Sequence, residues 1–351
     1  MIEMNSYERV MAVLGGKKET IDRLPCMNSA SVSTTDFMKT FNASWPAAHK
    51  DAEKMAKLGS AAHRVCGLDN VSVPFSMTVE AEILGAVINY HEGAVKWPSI
   101  TEFSIKDPSD LKFPDDVSKA GTVPVITKAI AILKKEFEGK VPINAYMVPP
   151  FTAISSYLVD SISFLKCIRT SPDTIHQYCR DTLDVFVEMA TLYRDAGADV
   201  ITFHEMGASN DNISPQHFND FVKPYLQEMI KRLNMPIILN ICGSAVRIVD
   251  KMAECGANAI AVDERTPIKD ARAAVDKVKP GFPVIGNLPA FALIHQGPVE
   301  RIREAVKKGI DDGVDVVASG CDFWLETPTE HIKALVDATA EFGKRSHQKF
   351  I

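Results

Sequence analysis

The chain has 351 residues, 46% hydrophobic and 24% charged, with a formal net charge of −6. That length suits one α/β barrel with insertions and can bury a large core. The acidic balance excludes broad binding to a nucleic-acid backbone, which needs clustered Lys and Arg, and no apolar run approaches the roughly 20 residues that span a bilayer.

In chain order, residues 1–25 read as an amphipathic helix and a turn, without the basic start, apolar block and cleavage site of a signal peptide. Seven cysteines, at positions 26, 66, 167, 179, 242, 255 and 321, form no CxxC pair. They read as reduced thiols, so the cytoplasm is the expected compartment. The first strand is expected at 23–28 and the second at 58–65, where a glycine precedes a short apolar run. Residues 67–120, richer in Pro and Gly, read as an insertion after strand two, with a hairpin covering the barrel mouth. The third strand follows at 141–146.

Beyond it one pattern recurs. Gly197, Gly256 and Gly313 each close a helix and lead into an apolar run, at 198–203, 257–262 and 314–318. Glycine supplies the left-handed cap, and the run suits a parallel strand buried on both faces. Two further strands, at 235–240 and 282–287, bring the count to eight. Helix starts are expected at Ser171-Pro172, Ser214-Pro215 and Thr327-Pro328, the last with Glu330 completing a capping box. Strands alternating with helices give a parallel sheet, and eight units give a closed (β/α)₈ TIM barrel. An open doubly wound sheet is the alternative, but no GxGxxG follows a first strand. No linker interrupts 1–351, so one domain is expected.

Active sites of such barrels gather where strands end. The residues expected there are Asn28, Tyr146, His204, Glu205, Asn240, Cys242, Asp263, Asn287, Cys321 and Asp322. Strand interiors disfavour Asn and carboxylates, so the concentration of both at strand ends is informative, although each alone can serve a turn. Cys242 and Cys321 follow the fifth and eighth strands, placing two sulfurs where they can share a metal. The other five cysteines read as small buried hydrophobes.

Val73-Pro74-Phe75-Ser76-Met77-Thr78-Val79-Glu80-Ala81-Glu82 with Gly85, Pro150-Phe151-Thr152, Asn240-Ile241-Cys242-Gly243, and Gly320-Cys321 with Glu326-Thr327-Pro328 carry a resemblance over nearly the whole chain. The sequence resembles the uroporphyrinogen decarboxylase superfamily, in its methylcobamide:coenzyme M methyltransferase branch. That resemblance implies a barrel that takes a methyl group from a methylated corrinoid protein. It also implies, for the thiol-using members, zinc held by a His-x-Cys motif and a later Cys. Cys242 and Cys321 match the two cysteines, but Asn240 stands where the histidine is expected. A neutral amide is a poor zinc ligand, so the sequence alone disfavours zinc. If zinc is present, Cys242, Cys321 and Glu205 are its expected ligands.

Zinc serves to make a thiolate at neutral pH, and an amine acceptor needs no such help. The resemblance is therefore drawn toward the folate-using methyltransferases of glycine betaine demethylation, with tetrahydrofolate as acceptor at N5. Asp263 is then expected to bind the pterin edge. Asn240 and Asn287 would be its hydrogen-bond partners, and Tyr146 and Asn28 would line the substrate site. Glu205, Asp263, His204 or solvent would take the N5 proton. The alternative is a zinc-dependent methylcobamide:coenzyme M methyltransferase. Uroporphyrinogen decarboxylase itself is disfavoured, because the segment after Arg23 lacks a further arginine. No Asp-x-His-x-x-Gly motif appears, so the corrinoid is expected on a partner protein docking on residues 67–120 and 205–215.

Overall fold

Apolar runs of four or five residues become strands here because helices cover one face and the barrel interior the other. A computed structural model describes residues 3–103 and 105–345. Its strands are β1 (Val71–Val73), β2 (Ile88–Asn89), β3 (Ser99–Ile100), β4 (Ile143–Met147), β5 (Val200–His204), β6 (Ile237–Ile241), β7 (Ala259–Val262), β8 (Val284–Leu288) and β9 (Val316–Ser319). Seven of them form one parallel sheet in the order β1-β4-β5-β6-β7-β8-β9. Gly197, Gly256 and Gly313 adopt left-handed φ ahead of β5, β7 and β9, as the recurring pattern requires.

The curled sheet is completed as a (β/α)₈ barrel by the segment around Cys26. On one side Met27 N–H donates to Val317 and Val317 N–H to Pro25, both at 3.0 Å. On the other side the contact to β1 is made largely by side chains. Asp69 accepts from the Cys26 amide at 2.8 Å, while Asn70 accepts from the Asn28 amide at 3.0 Å and donates to its carbonyl at 2.9 Å. Polar side chains thus stand in for ladder bonds at the seam.

The segment 58–65 departs from expectation. It lies in helices Ala52–Gly59 and Ala61–Cys66, and the second strand is β1, within the stretch read as the insertion. Gly59 serves close packing: a Cβ there would lie 2.6 Å from Val73 Cγ1 and 2.7 Å from the Ser72 carbonyl. The left-handed cap is Gly67, at φ 80°. Helix starts differ too. Ser214 caps its helix by accepting from His217 N–H, but Ser171 makes no side-chain cap, and the last helix, Thr329–Phe342, begins behind Pro328 with no capping box.

The N-terminal helix Ser6–Leu14, held by a capping box of Asn5 and Glu8, closes the bottom of the barrel. Val10, Val13 and Leu14 pack with Ile21, Leu24, Val200, Ile238, Ile285 and Val316 in a cluster separate from the larger core beneath the outer helices. Three connections after strands carry π-helical turns: Ile154–Leu158, Phe218–Val222 and Ala290–His295.

β2 and β3 form an antiparallel hairpin, anchored through Trp97 against Trp45 and Tyr90 against His49. Two carboxylates of the 73–82 motif serve the scaffold. Glu82 accepts from Thr122 N–H and Oγ1, both at 2.9 Å, and from the Tyr90 hydroxyl at 3.0 Å. Glu80 is fully buried and accepts from the Val148 amide at 3.0 Å, while its Oε2 has no partner among the described residues. Burial pushes its carboxyl up from 4.5 to about 8. The folded protein therefore keeps this proton between those values while the unfolded chain releases it. Stability falls as pH rises through that window, by about 1.4 kcal/mol per unit for this group. Glu80→Gln, which keeps the acceptor for Val148, is expected to flatten the pH dependence of denaturant unfolding between pH 5 and 8 by about that slope. An unchanged slope counts against the assignment.

Candidate active site

Tyr146, His204 and Asn240 lie in the last two positions of three adjacent strands, β4, β5 and β6. His204 and Asn240 are register partners, so their side chains meet on one rung. Asn240 Nδ2 lies 3.2 Å from His204 Nδ1. Both residues are buried, and His204 Nε2 and Asn240 Oδ1 have no hydrogen-bond partner among the described residues. The Tyr146 ring lies 5.3 Å from the imidazole, and its hydroxyl is also buried and unpartnered among those residues.

Cys242 follows β6 and Cys321 follows β9, and their loops bring the two sulfurs to 3.0 Å. Cys242 Sγ also reaches the Gly320 carbonyl at 3.2 Å, and Cys321 Sγ lies 3.9 Å from Asp322 Oδ2. A ring nitrogen of His204 and the two sulfurs all lie within 4.8 Å of one another. Burial lowers the His204 imidazole to about 4. It is neutral at physiological pH, the form in which histidine ligates. The Cys242 thiol is raised well above its ordinary range by its hydrogen bond to Cys321 and by burial. Two thiols and a neutral imidazole with an open nitrogen form a donor set that zinc favours.

The remaining candidates are committed elsewhere. Glu205 stands outside this donor set: it is fully buried, accepts from the Thr152 hydroxyl, and is pushed up to about 8 by burial. The imidazole of His204, not the Glu205 carboxylate, joins the sulfurs. Asp263 accepts from the amides of Gly243 and Arg265, and burial lifts it to about 6 against those bonds. It therefore braces the loop that follows Cys242. Asn287 donates to the carbonyls of Thr266 at 2.9 Å and Asp263 at 3.4 Å. Asn28 donates to the carbonyls of Ser31 and Cys321, supporting the loop of Cys321 from behind. Asp322, raised to about 6 by burial, accepts from Ser31 N–H at 2.6 Å.

The chain matches the family described as Uroporphyrinogen decarboxylase (URO-D) over residues 5–342. It is 32% identical over 347 residues to a methylcobamide:CoM methyltransferase of Methanosarcina barkeri, covering 97% of this chain and 99% of that one. A methylated-thiol–coenzyme M methyltransferase of Methanosarcina mazei is 28% identical over 340 residues, which is 97% of this chain and 90% of the relative. A solved methyltransferase from Methanosarcina mazei superposes with a TM-score of 0.90 at 32% identity, over 97% and 99% of the two chains.

These relatives and the His204–Cys242–Cys321 set overturn the expectation of a tetrahydrofolate acceptor at a site without zinc. In sequence the imidazole is expected two residues before Cys242, along one strand. The fold supplies it from the neighbouring strand on the same rung, a relation that the linear order does not display.

Proposed function

Because the chain belongs to the uroporphyrinogen decarboxylase family, and to its methylcobamide methyltransferase branch, we propose that it moves a methyl group from a methyl-Co(III) corrinoid to a small thiol of the coenzyme M class. His204, Cys242 and Cys321 would hold one zinc ion. The observation that carries this reading is the donor set itself, a ring nitrogen of the buried His204 within 4.8 Å of two sulfurs, with Nε2 free of any partner among the described residues. A bound zinc lowers the pKa of a coordinated thiol, so that thiolate is available at neutral pH.

In the transfer, the acceptor releases its S–H proton to solvent and its sulfur forms a bond to the methyl carbon. The cobalt–carbon bond breaks with its electron pair left on cobalt, giving Co(I) and a thioether. This chain's part is to position and to exclude water. His204 is held neutral by burial, and the loops of Gly320 and Gly243 fix the cysteines. Tyr146, its ring 5.3 Å from the imidazole and its buried hydroxyl without a partner among the described residues, would be a donor to the incoming sulfur. The corrinoid is assigned to a partner protein docking over the mouth.

Two measurements on the purified full chain test the reading. Elemental analysis is expected to find about one zinc per chain. Methylcobalamin with coenzyme M is expected to lose its Co–C absorbance, with methylated thiol formed. Turnover with tetrahydrofolate alone, by protein free of zinc, would overturn it.

A further inference from the structure

We propose that Asn240 is the positioning residue that sets the tautomer of His204. Its amide oxygen accepts the Nδ1 proton, so that Nε2, the ring nitrogen without a partner among the described residues, keeps its lone pair for a metal. The inference rests on the zinc site proposed above and assigns it a supporting group.

The geometry allows one hydrogen bond between the two side chains, at 3.2 Å, and its direction decides what the histidine can do. A neutral imidazole carries one N–H. If the amide nitrogen faces the ring, Nδ1 is the acceptor. The proton then sits on Nε2, a buried donor with no partner, and the ring cannot ligate through that atom. If the amide is turned by 180° about its Cβ–Cγ bond, Oδ1 takes the place of Nδ2 with the same heavy-atom positions. The two orientations are distinguished only by the hydrogen-bond network. The turned amide exchanges an unpartnered Oδ1 for an unpartnered Nδ2, and what it gains is an Nε2 free as an acceptor in place of a buried N–H with no partner.

Three further features favour this direction. The residues are register partners on adjacent strands, so the contact is fixed by backbone pairing and not by a mobile loop. Asn240 is 1% exposed and His204 0%, so water does not compete for Nδ1. An amide also suits the charge of the site. A divalent cation with two thiolates is already neutral, and a carboxylate at 240 would bury an additional negative charge. Partners of this kind fix ring orientation and tautomer for metal-ligating histidines, and removing them typically costs 10–100-fold in metal affinity.

The test uses the full chain in zinc-free and zinc-loaded forms. Nitrogen chemical shifts of His204 in ¹⁵N-histidine-labelled, zinc-free protein report the tautomer directly. The expected result is N–H at Nδ1 in the wild type. Asn240→Leu is expected to lose that preference and to bind zinc about 10–100-fold more weakly in a chelator competition. Asn240→Asp, which retains an acceptor, is expected to keep the Nδ1–H tautomer. An Nε2–H tautomer in the wild type overturns the proposal, as does zinc affinity in Asn240→Leu equal to that of the wild type. Absence of zinc binding by a wild type that shows Nδ1–H would instead overturn the zinc site and leave the assigned hydrogen bond standing.

Discussion

His204→Gln is expected to strip zinc from the protein and to slow methyl transfer to coenzyme M by about 10³-fold or more. A ligand whose loss removes several kcal/mol of stabilisation from the reacting centre costs roughly a decade in rate for each 1.4 kcal/mol. Glutamine approximates the volume of the buried ring but offers no imidazole nitrogen. His204 lies at the end of a fully buried strand whose ladder is made by backbone groups, so far-ultraviolet circular dichroism should be retained. The effect is read as zinc per chain and as kcat/KM for the thiol. Full zinc content with undiminished transfer would remove His204 from the site and leave the two cysteines without their nitrogen partner.

Asp69→Asn is expected to cost about 3–5 kcal/mol, the range for breaking a buried ion pair from one side. The Asp69 side chain is 0% exposed and accepts from Arg9 at 3.0 Å, from Arg23 at 2.8 and 3.0 Å, from the Ser6 hydroxyl at 2.8 Å and from the Cys26 amide at 2.8 Å. Arg9 retains Asp22 on its other side, but with a neutral amide at 69 the Arg23 guanidinium loses its carboxylate partner. The same residue ties the first strand segment to β1, so the electrostatic loss falls on the barrel seam. A Tm lower by roughly 5–10 °C is the expected readout. Asp22→Asn, at a side chain 16% exposed, should cost less. A change below 1 kcal/mol at Asp69 would show that the seam is held by apolar packing of the N-terminal helix instead.

Much of the barrel was legible because parallel strands announce themselves: a left-handed glycine, then a β-branched run. That signal places β5, β7 and β9 within a few residues. It fails at 58–65, where Gly59 looks like a cap but is required by the approach of Ser72 and Val73, a tertiary cause with no local signature. The first strand is legible as an apolar stretch, yet its pairing through Asp69 and Asn70 side chains is not. At the site, the strand-end rule gathers Tyr146, His204, Asn240, Cys242 and Cys321, and the cysteines stand out by their loops. The role of His204 was hidden because its partners come from strands 36 and more residues away in sequence. Knowing which strand residues face one another shows that the asparagine at 240 is the neighbour of a histidine that lies with the two sulfurs. Asp263 and Asn287 show a further limit: their hydrogen bonds to the loops at Gly243, Arg265 and Thr266 have no signature in the sequence.

The π-helical turns at Ile154–Leu158, Phe218–Val222 and Ala290–His295 all lie in connections that leave the C-terminal ends of strands. Such a turn accommodates one surplus residue without breaking the helix that contains it. The approach to the reaction chamber is thus open to revision in single-residue steps, inside segments that stay packed. The opposite end is sealed by an apolar plug and an ion-pair knot. Selection can reshape what enters this barrel while leaving untouched what keeps it folded.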